Sequence, residues 1–160
     1  MFHEKETVMK YVHTNIIARD WQTLSAFYQA VFACVPVPPE RNLSGQWLDD
    51  MTGIDGAHIT GEHLRLPGHG ENGPTLEIFS YDAMTPHSHN INMIGLAHLA
   101  FEVDDVERTV EKVIHHGGKV FGKVVQRRYE GIGDATFVYV EDIEGNIIEL
   151  QKWDRIGSSE

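Results

Sequence analysis

The chain has one cysteine, few cationic residues and no long apolar run. A single cysteine, Cys34, in 160 residues excludes an internal disulfide framework. Cys34 sits in an apolar helical pattern and is expected to be plain core, which fits a reducing cytoplasm. No segment approaches the ~20 apolar residues that a membrane helix needs. The N-terminal MFHEKETVMK holds no apolar signal core, so no membrane partner is expected. Thirteen Lys and Arg stand against 24 Asp and Glu, a formal net charge of −11. That balance argues against a general nucleic-acid binder, whose affinity rests on neutralising phosphates. The one basic run, Lys119, Lys123, Arg127 and Arg128, reads as a solvated strand face. A local patch can still favour an anionic small substrate against the global field. Also missing are a G-x-S-x-G elbow, a P-loop and a strand-to-helix G-x-G-x-x-G, so serine-nucleophile and nucleotide-hydrolase readings lapse.

What is present is a repeat. Residues 11–18, YVHTNIIA, read as a strand; Asp20 then caps a helix whose stripe is Leu24, Phe27, Tyr28 and Val31, with Pro36 as its stop. Residues 96–103, LAHLAFEV, repeat the strand. Asp104 and Asp105 cap a second helix with Val106, Val110, Val113 and Ile114 as its stripe, ended by Gly117 and Gly118. Each half closes alike, Gly73–Pro74 leading into TLEIFSY and Gly145–Asn146 into IIELQKW. Between helix and closing strand lie GAHITGEHLRLP in the first half, and GKVFGKVVQRRYEG and DATFVYVED in the second. The expected fold is therefore α+β: two tandem βαβββ modules pairing into a curved, barrel-like mixed sheet with helices outside. One domain should span residues 1–160, with module 1 at 9–82, a polar linker at 83–94 containing Pro86, and module 2 at 95–154.

Strand side chains alternate faces. If Leu99, Phe101 and Val103 pack under the helix, His98, Ala100 and Glu102 point the other way. If Ile148 and Leu150 are helix-side, Glu149 is opposite; the same parity opposes Glu77 to Leu76 and Ile78. His13 lies on the open face of its strand with Asn15 and Ile17. Each module thus turns one imidazole and one carboxylate, His13 with Glu77 and His98 with Glu149, to its open face. A pseudo-twofold would bring the pairs together. Two buried carboxylates without partners are costly, and a cation resolves the cost. The mixed N/O set suits Zn²⁺, Ni²⁺, Co²⁺, Mn²⁺ or Fe²⁺ rather than Mg²⁺ or Ca²⁺. The other histidines rank lower: His87 and His89 lie in the linker, His115 and His116 end a helix, and His58, His63 and His69 read as surface. Glu102 belongs at the rim of the site or in support of a ligand.

HTNIIARDWQTLSAFY, LEIFSY, HLAFEVDDVERTVEKV and DIEGNIIELQKW resemble the vicinal oxygen chelate superfamily, over nearly the whole chain. That superfamily includes glyoxalase I, methylmalonyl-CoA epimerase and extradiol dioxygenases. The resemblance implies paired βαβββ modules, commonly in a homodimer, with metal ligands at His13, Glu77, His98 and Glu149. It also implies proton abstraction next to a carbonyl through a metal-stabilised enediolate, by a lyase or isomerase. One of Glu77 and Glu149 would loosen to act as base, with Glu149 preferred. Where glyoxalase I proteins carry an Arg and an Asn stand Ile17 and Tyr81, so the likeness leans to the epimerases. The substrate is open, an anionic thioester among the candidates. The alternatives of the same fold are a ferrous extradiol-type dioxygenase and a drug-binding or thiol-transferring resistance protein.

Overall fold

Asp20 starts the first helix as its sequence position suggests, its carboxylate accepting from the Thr23 backbone N–H at 3.1 Å. In the computed structural model, which describes residues 9–157, that helix is α1 (Trp21–Phe32) and follows β1 (His13–Ile17). It ends before Pro36, because Ala33 turns left-handed at φ 54° and its N–H returns to the Tyr28 carbonyl. Pro36 instead lies in β2 (Val35–Ser44), and Cys34, outside the helix, is buried as expected. Burial pushes the Cys34 thiol up to about 12, so it stays protonated.

The first module continues with α2 (Gln46–Thr52), β3 (His58–Arg65) and β4 (Thr75–Tyr81). The second module runs β5 (His98–Glu102), α3 (Val106–His115), β6 (Lys119–Tyr129), β7 (Gly133–Glu141) and β8 (Ile147–Arg155). Asp105 caps α3 through the Arg108 N–H at 3.0 Å. Val106 and Val113 are buried, but Ile114, placed on the apolar stripe by periodicity, is 54% exposed at the helix's last turn. Neither β2 nor α2 follows from the periodicity. β2 carries three prolines, which an outer strand tolerates because its outward N–H groups need no partner.

Each module builds one four-stranded mixed sheet, in the orders β1-β4-β3-β2 and β5-β8-β7-β6. β1 runs parallel to β4 and β5 parallel to β8; the remaining pairs are antiparallel. The repeat extends to an irregularity. In β2 and β3 the register shifts between Val37 and Arg41, and in β6 and β7 it shifts between Phe121 and Val125. The two sheets do not close into a barrel: among the described residues no strand lies beyond β1 or β5 at their sheet edges.

The modules meet through their helix-side faces. Leu64, Leu76 and Ile78 of the first and Val138, Val140, Ile148 and Leu150 of the second belong to one buried cluster with Leu24, Tyr28 and Val113. Phe32 stacks on Phe101 with centroids 4.1 Å apart. Buried Tyr28 donates its hydroxyl to Asp142 at 2.8 Å, and Glu144 accepts the Arg19 and Asp20 backbone N–H groups at 2.6 and 3.1 Å. Burial holds Asp142 above the ordinary carboxylate range, against the hydrogen bonds it accepts from Tyr28 and Asn146. Among the described residues no helix is long and apolar enough to cross a membrane.

Candidate metal centre

The site is built by register. β1 and β4 pair with Asn15 beside Glu77, and β3 and β4 pair with His63 directly across from Glu77. Leu76 and Ile78, the neighbours of Glu77, are fully buried on the helix side, so parity leaves Glu77 on the open face. Its carboxylate there meets three side chains. His13 Nε2 lies 3.5 Å from Oε1, His63 Nε2 lies 2.7 Å from Oε2, and Asn15 donates Nδ2–H to Oε1 at 3.0 Å. The Glu77 and His63 side chains are 13% and 17% exposed, and His13 is 40% exposed on its edge strand.

The second module repeats the register. Ala100 on β5 and Tyr139 on β7 flank Glu149 as Asn15 and His63 flank Glu77. His98 Nε2 lies 3.2 Å from Glu149 Oε2, and the Tyr139 ring meets His98 nearly edge-on at 5.0 Å. Glu102 is exposed at the rim, held by Arg155 at 2.8 Å.

Each expected imidazole therefore reaches its expected carboxylate, but one chain does not gather all four into one cluster. Among the described residues, the group of three or more candidate ligands whose donor atoms lie within 4.8 Å of one another is His13, His63 and Glu77. The cause is the shared core: helix-side faces that converge on one hydrophobic cluster leave the open faces of the two sheets turned away from it.

His63, expected at the surface, is the residue that sequence reasoning missed. Its signal was the same parity that found Glu77, because Leu64 beside it is fully buried and packs with Leu76. Burial lowers the His63 pKa; Glu77 opposes that, while Arg41 and His13 add to it. α2 was missed as well. With Leu48 it covers Ala57, Ile59 and Phe79, so one end of this open face is walled by apolar side chains.

The residues fit a divalent cation. Ligand atoms about 2.0–2.2 Å from an ion lie about 3–4 Å from one another, the range of the His13–Glu77 and His98–Glu149 separations at 3.5 and 3.2 Å, whereas His63–Glu77 at 2.7 Å is a direct hydrogen-bond distance. Neutral imidazoles with one carboxylate leave a net charge of opposite sign to the ion. His63 is further oriented by Thr75, whose hydroxyl lies 3.0 Å from Nδ1.

Comparison with known proteins agrees with this architecture. Residues 10–150 match the family model described as the Glyoxalase/Bleomycin resistance protein/Dioxygenase superfamily. No curated protein sequence matches significantly. Among solved structures, a glyoxalase family protein from Bacillus cereus is similar at 21% identity and a TM-score of 0.72, over 98% of this chain and 99% of that one. A glyoxylase/bleomycin resistance protein/dioxygenase domain from Frankia sp. is 15% identical with a TM-score of 0.60, covering 96% of each chain. A mutant of the fosfomycin resistance protein FosX from Listeria monocytogenes was solved with Mn(II) and 1S,2S-dihydroxypropylphosphonic acid. It is 16% identical with a TM-score of 0.54, over 90% of this chain and 92% of that one. These likenesses concern the fold. With a family model matched over nearly its whole length and the doubled βαβββ frame, the chain belongs to the Glyoxalase/Bleomycin resistance protein/Dioxygenase superfamily.

Proposed function

We propose that the protein is a divalent-metal-dependent lyase or isomerase of the glyoxalase type, moving a proton on the carbon next to a carbonyl. The observation that carries this reading is the duplicated imidazole–carboxylate pair, His13 with Glu77 and His98 with Glu149, at the same register in both sheets. Zn²⁺, Ni²⁺, Co²⁺, Mn²⁺ or Fe²⁺ suits these donors, and such an ion supplies Lewis-acid polarisation of substrate oxygens.

The protein's own groups divide the remaining work. His13 and Glu77 hold the ion's side of the site. Glu149 is the better base of the two acids, because Glu77 is already engaged by His13, His63 and Asn15 whereas Glu149 meets His98. Its Oε1 or Oε2 would take the α-proton and return it, with His98 Nε2 fixing the carboxylate's orientation. Arg41, close enough for its charge to act on His63, favours an anionic substrate such as a thioester bearing a carboxylate.

A homodimer completes the arrangement. The open edges of β1 and β5 flank large exposed apolar side chains, Ile17 on β1 and Ile94 and Leu96 ahead of β5. A second copy meeting those edges would set the module 1 face of one chain beside the module 2 face of the other. The deciding experiment incubates metal-reconstituted protein in D₂O with a panel of 2-acyl thioesters and α-hydroxy carbonyl adducts. Deuterium at the α-carbon of at least one compound is the expected result. No exchange with any of them, together with O₂ uptake in the presence of a catechol, would replace this reading with a ferrous dioxygenase.

A further inference from the structure

We infer that the half-buried rings of Tyr129, Phe137 and Trp153, with Arg127 above them, form a substrate subsite on the second module that takes a flat aromatic acid. This rests on the proposed proton transfer at Glu149 and deepens it by naming the tail of the molecule that carries the reacting carbon.

Register puts the rings and the acid on one face. Glu149, Gln151 and Trp153 share a side of β8, and pairing sets Phe137 beside Gln151, and Ala135 and Arg127 beside Trp153. Tyr129, two positions after Arg127 on β6, is on the same side. The alternate residues of β7 and β8, Val138, Val140, Ile148 and Leu150, are buried with Val113 of α3, so the helix covers the opposite face. By strand rise Phe137 stands about 7 Å and Trp153 about 13 Å along the sheet from Glu149. Those spans suit an extended molecule with its reacting carbon at one end.

The rings hold one another in place. Trp153 meets Tyr129 at 5.3 Å and Phe137 at 5.7 Å between centroids, and donates Nε1–H to Gln151 Oε1 at 3.0 Å. Ala135 between them is 1% exposed, so the rings close over it and turn their remaining surface outward. Beside Phe137, Val125 is 53% exposed and extends the apolar floor.

Charge narrows the occupant. Alternation splits the basic run of β6: Arg128 turns to the other face, where it meets Asp134 at 3.5 Å. Arg127 stays on the ring face, 4.8 Å from the Tyr129 centroid, and makes no ion pair among the described residues. Aromatic side chains receive a planar ring by offset or edge contact, and a guanidinium clasps a carboxylate through two parallel hydrogen bonds. An arenecarboxylate satisfies both. A saturated acid satisfies the second alone, and a neutral arene the first alone.

The probes are 2-naphthoate, the saturated decalin-2-carboxylate and the neutral 2-naphthamide, titrated into the full-length chain, metal-free and Co²⁺-loaded. Calorimetry gives affinity, and NMR of the indole N–H protons gives location, the Trp153 signal being the one missing in Trp153→Phe. In both forms 2-naphthoate should move that signal and bind about 10-fold or more tighter than either companion. Arg127→Gln should lower 2-naphthoate to the affinity of the amide. Trp153→Leu should weaken 2-naphthoate about 3–10-fold and leave the saturated acid unchanged. Arg127 is exposed, so its variant tests the subsite even where Trp153→Leu fails to fold. Equal affinity for all probes, an unmoved Trp153 signal, or wild-type 2-naphthoate binding in Arg127→Gln would overturn the subsite. Binding is read without turnover, so 2-naphthoate binding with no exchange at any α-carbon strikes the proton-transfer reading alone. Exchange without 2-naphthoate binding strikes the subsite alone.

Discussion

The two modules share one frame and differ in what surrounds their carboxylates. Strand order, parallel pairing, the caps Asp20 and Asp105, the pairs His13–Glu77 and His98–Glu149, and even the register shift in the outer strands recur in both. The residues around each carboxylate do not. Glu77 stands between Asn15 and His63 under an apolar wall from α2; Glu149 stands between Ala100 and Tyr139. Farther along the second open face lie Tyr129, Phe137 and Trp153, in ring contact with one another, and Arg127 over Tyr129 at 4.8 Å. Duplication fixes where an imidazole and an acid can sit. Divergence at the flanking positions gives the two pairs different neighbours.

The sharpest way to break that division is Glu149→Gln. If Glu149 is the base, turnover should fall about 10²–10⁴-fold while one metal per chain remains bound; wild-type turnover with metal in place removes it from that role. The equivalence of the frames is tested next. Leu76 and Ile148 occupy matching positions and are both fully buried. Leu76→Ala and Ile148→Ala should each cost about 2–5 kcal/mol in denaturant unfolding, and a near-neutral result at one of them breaks the symmetry.

Asn15→Ala gives module 1 the side chain that module 2 has at this register. Losing the hydrogen bond to Glu77 should weaken Co²⁺ binding about 10–100-fold, read by chelator competition. The smallest effect belongs to Asp20. Hydrogen bonds from the Thr23 hydroxyl and then its backbone N–H hold the Asp20 carboxyl below its ordinary 3.8. A depressed folded pKa adds stability that is present above the unfolded value and is lost as pH falls through the folded one. The Tm difference between wild type and Asp20→Ala should therefore be present at neutral pH and close as pH drops below 3.8.

Most of the frame was legible because it follows from local rules. Period-two alternation placed Glu77 and Glu149 opposite buried aliphatics, and Asp–helix junctions marked both N-caps. The misses have equally local causes. β2, with the sequence VPVPPERNLS, has prolines where alternation should be, and its pairing with β3 is a tertiary fact. α2 is seven residues long, too short for periodicity to register, and gains its stability from Leu48 against Ile59 and Phe79. His63 was open to the same parity, since GAHITGEHLRLP reads as strand-like, but alternation was not carried to this segment, whose histidines read as surface. Gly61 is required there, since a Cβ would strike the Ile78 carbonyl across the strand pair. That the two pairs face away from one shared core within a chain depends on Phe32, Phe101, Tyr28 and Asp142 meeting, contacts no pattern in the sequence announces.

Strand order has one more consequence. Both acids stand on inner strands, β4 and β8, laced to neighbours on either side, whereas His13 and His98 stand on β1 and β5, laced on one side only. Rims fray at lower free energy than interiors. If a cation is held as proposed, each half of the molecule would let its edge-strand imidazole swing out while the carboxylate stays anchored, so exchange would begin at the imidazoles and clasping the rims together would slow it.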